Sequence, residues 1–382
     1  MAYLDHNATS PLREAARLAV EGALAIGGNA SSVHARGRAA RALIEDARAK
    51  VAALAGAEPS QVVFTSGATE AGALALWGAV QGAADSRDSG GARITRLFVS
   101  AIEHPSVLAN AQAVAERFAG LKLETIPVRR DGVADIDALR NSLREGKGRA
   151  LIALMAANNE TGVIQPVADA AALAREAGAL LLVDAVQAAG RMAVPQADYV
   201  TLSAHKIGGP QGVGALILGE SVPFTPPVGG GGQERGLRAG TENLSGIAGF
   251  GAAAEIAAGE WYGSALRDHF EAELKEIAPN AIIFGGESPR LSNTSCFALP
   301  GIGAETALMA LDLDGVMLSS GSACSSGKVK RSHVLAAMGV NDDVAGCALR
   351  ASFGWSSTEA DVEAARVSLE NLLVRVGSRA AA

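Results

Sequence analysis

Several short apolar runs in this chain end in residues that can do chemistry. Val62-Val63-Phe64-Thr65 leads into Ser66-Gly67-Ala68-Thr69-Glu70, which opens the helix-like stretch Glu70–Val80. Backbone N–H groups at a helix start, beside Thr and Ser hydroxyls, suit a bound dianion; a plain capping turn is the competing reading. Leu180–Val183 ends in Asp184 with Gln187 just beyond, and Tyr199–Ser203 runs into Ala204-His205-Lys206-Ile207-Gly208. Arg96–Ser100 is followed closely by Glu103-His104-Pro105. Open α/β sheets bind ligands outside the carboxyl ends of their strands, so Thr69, Asp184, Lys206 and His104 are expected at one crevice. A phosphate pocket, a lysine able to form a Schiff base and an acid for a pyridinium nitrogen are what pyridoxal phosphate requires, and an imidazole could lie against its ring. A lone lysine after a strand is usually a solvated end. The grouping at consecutive strand ends is what favours a site.

The cysteines divide by context. Cys296 and Cys347 lie in apolar, strand-like runs and are expected to be buried, inert thiols. Cys324 lies in Ser319-Ser320-Gly321-Ser322-Ala323-Cys324-Ser325-Ser326-Gly327-Lys328, a Ser/Gly segment expected to be mobile. A thiol near its ordinary pKa of about 8.5 becomes a useful nucleophile when cations favour its thiolate. Lys328, Lys330 and Arg331 stand close enough in sequence to do so, or else form a solvated basic face.

Positioning these residues requires an α/β scaffold. The runs Val62–Thr65, Arg96–Ser100, Ala150–Leu154, Leu180–Asp184 and Tyr199–Ser203 read as strands buried on both faces. Helix-like stretches such as Ser106–Ala119 and Val167–Ala177 separate them, which indicates a large domain with a mostly parallel sheet flanked by helices. After about Gly259 the pattern changes to a smaller α+β unit. Its expected strands are Ser292–Leu299 and Ala348–Phe353, and its expected helices are Ala304–Ala310, Arg331–Met338 and Thr358–Val374. The expected division gives 13–257 to the large domain, and 1–12 with 258–382 to the smaller one that carries Cys324. Ala83–Ala92 reads as a solvated surface connection.

Composition narrows the function classes. Lys plus Arg number 33 and Asp plus Glu 40, a net charge of −7, so no global attraction to nucleic acid or anionic lipid is expected. Three cysteines, none in a C-x-x-C pair, build neither a disulfide framework nor a structural zinc site, and fit a reducing cytosol. His6, His34, His269 and His333 have no His-x-x-x-His or Cys partner, so no metal site is expected. The start lacks the basic head and apolar run of a signal peptide, and no apolar run approaches the roughly 18 residues of a membrane span, so a cytoplasmic protein is expected. Gly229–Gly232 lacks a strand–turn–helix frame, and Gly321–Lys328 has five residues between its glycines and Val329 after its lysine, so neither is read as a nucleotide loop.

Taken together, these blocks resemble the cysteine desulfurases of the nitrogen-fixation and iron–sulfur assembly type, pyridoxal-phosphate enzymes of the class V aminotransferase group. The resemblance runs nearly end to end, through Leu4–Thr9, Thr65–Glu70, Glu103–Pro105, Asn158–Gly162, Asp184–Gln187, Ser203–Pro210, Gly230–Asn243, Gly321–Ser325 and Leu349–Gly354. It implies the fold type I architecture of pyridoxal-phosphate aminotransferases. It makes Lys206 the Schiff-base lysine, Asp184 the partner of the pyridine nitrogen, Gln187 the contact to the ring oxygen, and His104 a stacking group that relays protons. Ala68, Thr69, Ser203 and His205 would hold the phosphate, and Thr241 would reach the phosphate of a second subunit in a homodimer. Asn159 and Arg350 would take the substrate carboxylate, and Cys324 would receive sulfur from L-cysteine as a persulfide. The acceptor would be an iron–sulfur scaffold or another thiolation partner. The chain departs from the family pattern at Ala71-Gly72-Ala73, where asparagines are usual, and at Lys328–Ser332 after the cysteine. An aminotransferase or selenocysteine lyase of the same fold is the nearest rival, and a catalytically silent scaffold the more distant one.

Overall fold

The computed structural model describes residues 1–85, 92–260, 264–320 and 331–380. Its larger sheet has seven strands in the order Val62–Thr65, Gly214–Leu218, Tyr199–Ser203, Leu180–Asp184, Arg149–Ala153, Ile94–Ser100 and Lys122–Ile126. Gly214–Leu218 is antiparallel to both its neighbours, and every other pairing is parallel. Side chains along a strand alternate between faces, and both faces here are covered. Leu181 and Val183 pack with the helices Ala35–Ala55, Val167–Ala177 and Leu244–Ala257; Leu180 and Leu182 pack with Ala68–Asp85 and Pro105–Arg117.

The antiparallel strand explains why two distant strand ends meet. Thr65 and Ser203 both pair with Gly214, one from each side. Gly214 has to be glycine, because a Cβ there would lie 2.6 Å from Leu202 O and 2.7 Å from the Gly67 backbone. That close approach sets the Ser66–Gly67 turn directly beside the end of Tyr199–Ser203. Small residues act similarly on the next helix. Ala71 and Gly72 are buried, and a Cβ on Gly72 would meet Val107, so Ala68–Asp85 lies close against the helix that begins after His104.

A second, four-stranded antiparallel sheet runs Ser319–Ser320, Ala348–Ser352, Thr294–Ala298 and Ile282–Ile283. The helices Ala265–Ile277, Ala304–Leu313 and Glu359–Ala380 close its core through Phe270, Phe297, Leu311, Leu349 and Leu369. Ala2–Tyr3 pairs in parallel with Val316–Met317, and the chain then crosses to the large sheet. Asp5 forms a bridge with Ser352, whereas Ser10 N donates to His205 O at 2.8 Å and Arg13 N to Gly208 O at 2.9 Å.

One surface segment is held from beneath. Glu234 and Arg235 are consecutive non-glycine residues in the left-handed region, with φ of 47° and 59°. The buried Arg48 guanidinium donates to both Glu234 oxygens at 2.7 and 2.9 Å, and Phe64 N donates to Glu234 at 2.8 Å. Such strain persists only where surrounding contacts over-determine it.

Some expectations need correction. The strands Lys122–Ile126 and Gly214–Leu218 escape the sequence reading: the first is a half-polar edge strand, and glycines flank the second. Ala83 is not part of a solvated connection, since Ala68–Asp85 continues through it and buries it; residues 86–91 lie outside the described residues. The helix expected at Arg331–Met338 is the shorter His333–Ala337, capped by Ser332, and the last helix extends to Ala380.

Candidate active site

The carboxyl ends of the large sheet open onto a cavity of about 540 Å³ that also reaches the small sheet. It is lined by Ala68, Thr69, Ser203 and His205, by Asp184, Gln187, His104 and Lys206, and by Asn159, Ser319 and Arg350. Ala68 and Thr69 begin an 18-residue helix, so their N–H groups have no intrahelical partner. The Ser66 N–H is already taken by Glu70 at 2.6 Å, and Glu70 in turn accepts two hydrogen bonds from Arg238, at 2.7 and 3.2 Å. The Thr65 hydroxyl turns back onto Gly67 O and does not reach the cavity, so the anion cradle is narrower than the motif implies.

Lys206 Nζ donates to Asn7 O at 2.6 Å and to Ala8 O at 2.8 Å. Burial, then the charges of Arg350 and Arg191, pull its pKa from 10.5 to about 7, so a neutral amine is available near neutral pH. Burial pushes the Asp184 carboxyl up, while the Val186 N–H at 2.9 Å and the charges of His104 and Lys206 hold it down. A carboxyl balanced this way gains strongly from one more cation beside it, such as a protonated ring nitrogen. Gln187 Nε2 donates to Asn7 O at 3.1 Å, and Arg191 donates to Gln187 Oε1. Arginine can only donate, so it determines which end of that amide carries the oxygen. His205 touches Thr9 Oγ1 at 3.1 Å; burial, then the charge of Lys206, lower it to about 4 and keep it neutral.

Arg350, from Ala348–Ser352, reaches the same space. Its Nη1 donates to Asn159 O at 2.9 Å and its Nη2 to Asp5 Oδ1 at 2.7 Å. Arg350 Nε and Asn159 Oδ1 are buried without a partner among the described residues. Orphaned polar atoms of this kind cost about 1–3 kcal/mol each, a cost that a ligand with complementary groups removes.

Comparison with known proteins agrees with this geometry. Residues 2–365 match the class V aminotransferase family. A cysteine desulfurase of Cereibacter sphaeroides is 42% identical over 369 residues, covering 94% of this chain and 92% of the relative. An IscS-like cysteine desulfurase of Mycobacterium tuberculosis is 39% identical, covering 98% of this chain and 97% of its own. The chain belongs to the cysteine desulfurases of the class V aminotransferase family. The crystal structure of a NifS-like protein from Rickettsia africae superposes with a TM-score of 0.86 at 32% identity, covering 98% of this chain and 99% of that one.

Within this desulfurase fold, ten of the twelve residues singled out from sequence line the one cavity. Thr241 does not: it is exposed and borders a separate space of about 80 Å³ with Arg238 and Glu242. Cys324 lies outside the described residues. Cys296 and Cys347 are buried, as expected, and burial pushes the Cys296 thiol well up. Asp5, Asn7 and Ala8 were not assigned roles by sequence reasoning, although Leu4–Thr9 is one of the matching blocks. Asn7 and Ala8 act through backbone carbonyls, which side-chain identity does not report. Glu103 was missed as well: it accepts from Met155 N at 2.6 Å, and burial, then the Asp184 charge, pushes its carboxyl well up. Among the described residues no cluster of His, Cys, Asp and Glu is arranged for a metal, and no helix is long and apolar enough to cross a membrane.

Proposed function

We propose that this enzyme converts L-cysteine to L-alanine with pyridoxal phosphate as cofactor and loads the released sulfur onto Cys324. The observation that carries the reading is the convergence of Lys206, Asp184, His104 and Arg350 on a cavity that is also lined by a helix start. The residues fit the cofactor: a helix N-terminus for a dianion, a neutral amine for an aldehyde, and a carboxyl for a pyridine nitrogen. When bound, pyridoxal phosphate supplies a carbonyl for the substrate amine and a ring that accepts electrons from Cα.

The protein's own groups do the rest. The Ala68 and Thr69 N–H groups, the Thr69 and Ser203 hydroxyls and His205 would hold the phosphate. Asp184 would keep the ring nitrogen protonated, and Gln187 would donate to the ring oxygen. His104, which lines the same cavity, would lie against the ring and move protons. Lys206 would anchor the cofactor and, as a neutral amine near neutral pH, would take the Cα proton of the substrate on Nζ. Asn159 and Arg350 hold the α-carboxylate, for which a planar guanidinium fork is suited. The thiolate of Cys324 attacks the substrate sulfur; the electrons of the broken C–S bond stay with Cβ, which ends as the methyl group of alanine. Sulfur then passes to an iron–sulfur scaffold or another acceptor protein. The exposed Thr241 serves the phosphate of a partner subunit in a homodimer. A cytoplasmic, reducing setting keeps the thiols free.

Purified protein is expected to absorb visible light and to form equal amounts of alanine and protein-bound or released sulfur from L-cysteine. A colourless protein that makes no alanine after reconstitution with pyridoxal phosphate would overturn the reading.

A further inference from the structure

The chain's first residues hold the substrate side of the cavity from behind. Ser352 N donates to Leu4 O at 2.7 Å and His6 N donates to Ser352 O at 3.1 Å, so the backbone is fixed on both sides of Asp5. From that fixed base the Asp5 carboxylate accepts from Arg350 Nη2 at 2.7 Å, with the two side chains 21% and 6% exposed. Asn159 O takes Nη1 at 2.9 Å. Two acceptors on the two terminal nitrogens fix both the position and the plane of the guanidinium. A guanidinium has five N–H donors. Two are engaged here, and among the rest Nε is buried without a partner.

We infer that Asp5 is a positioning residue for Arg350, holding the guanidinium plane so that its remaining donors meet the α-carboxylate of the incoming amino acid. The inference rests on the assignment of Arg350 to substrate in the proposed function, and it adds a residue that never touches substrate. Preorganisation is the physical reason for its effect. A buried arginine free to turn would lose that freedom on binding, whereas one already held loses little. The Asp5 contact also compensates the charge of a guanidinium that is nearly sealed from water, where a lone charge is costly.

The experiment compares an amino acid with its ester, because the ester lacks the carboxylate that Arg350 would bind. Wild type, Asp5→Asn and Asp5→Ala, each loaded with pyridoxal phosphate, are titrated with L-cysteine, L-alanine and their methyl esters. Binding is followed by visible absorbance, and KM and kcat for L-cysteine are measured alongside. Loss of one charge-assisted hydrogen bond in Asp5→Ala is expected to weaken binding of both acids, and to raise KM, by about tenfold. Binding of the esters and kcat are expected to stay within about twofold, because neither depends on that contact. Asp5→Asn, which keeps an acceptor oxygen, is expected to fall between wild type and Asp5→Ala. Equal weakening of acid and ester, or no weakening of either, overturns the inference. If Asp5→Ala does not fold, the acid-to-ester ratio in Asp5→Asn decides by the same criterion. Absence of alanine formation by wild type would instead count against the desulfurase reading, while the L-alanine titrations still decide the role of Asp5.

Discussion

The Ser332 hydroxyl donates to Glu160 Oε2 at 2.5 Å while accepting from Leu335 N at 3.0 Å, so one side chain caps the helix His333–Ala337 and ties it to the turn that carries Asn159. Glu160 is buried, and burial raises its carboxyl from 4.5 to about 7 against the opposing pull of Ser332 and Arg350. The folded state therefore holds this proton more tightly than the unfolded chain does. Its contribution to stability is complete below pH 4.5 and is lost as pH rises toward about 7. The size of the loss is on the order of 3 kcal/mol. Denaturant unfolding of Glu160→Gln across this range is expected to lack that decline. A wild-type slope retained in the variant would place the titrating group elsewhere.

Lys206→Ala is expected to abolish turnover and the visible absorbance of the bound cofactor. A second measurement uses the pKa of about 7. Attack on an aldehyde requires the unprotonated amine, so reconstitution of cofactor-free protein with pyridoxal phosphate is expected to speed up as pH rises through 7. A rate still climbing steeply near pH 10 would mean that Lys206 titrates like an exposed lysine.

Arg350→Ala is expected to raise KM for L-cysteine while pyridoxal phosphate remains bound. A bidentate charge-assisted contact is worth on the order of 2–4 kcal/mol, which corresponds to about 30- to 800-fold. An unchanged KM would give Arg350 a purely structural place in the strand Ala348–Ser352.

Cys324→Ser retains the shape of the side chain, but its hydroxyl is far less ionised at neutral pH and a poor sulfur acceptor. The variant is expected to bind pyridoxal phosphate and to respond spectrally to L-cysteine, yet to make almost no alanine and to escape persulfide labels. Cys296→Ser and Cys347→Ser put a hydroxyl into buried sites and are expected to lower stability before chemistry. If Cys347→Ser lost turnover while Cys324→Ser kept it, the wrong thiol would have been chosen.

What could be read before the structure follows from how each residue acts. Asp184, Lys206 and His104 follow strongly apolar strands, so their place at the sheet's carboxyl edge is implied by local pattern. Asn7 and Ala8 meet Lys206 through main-chain oxygens across 199 and 198 positions of sequence, and no local pattern encodes such contacts. Asp5 and Arg350 are 345 positions apart, and their pairing depends on the crossing of the first residues between the two sheets. Lys122–Ile126 was illegible for a different reason: an edge strand has less need of apolar residues, and its burial alternates weakly. The Thr65 hydroxyl looked available because a motif gives residue types and not directions. In the folded chain it closes its own turn on Gly67.

The pair Glu234 and Arg235 bears on how two subunits would come together. Arg48 holds Glu234 from inside the core, and Arg235 Nη2 donates to Ser60 O and Val62 O, so the form of this pair does not wait on anything outside the chain. In the homodimer proposed above, the stretch leading to Thr241 would meet its partner already moulded. Association of the two subunits would then forfeit little chain freedom at this spot.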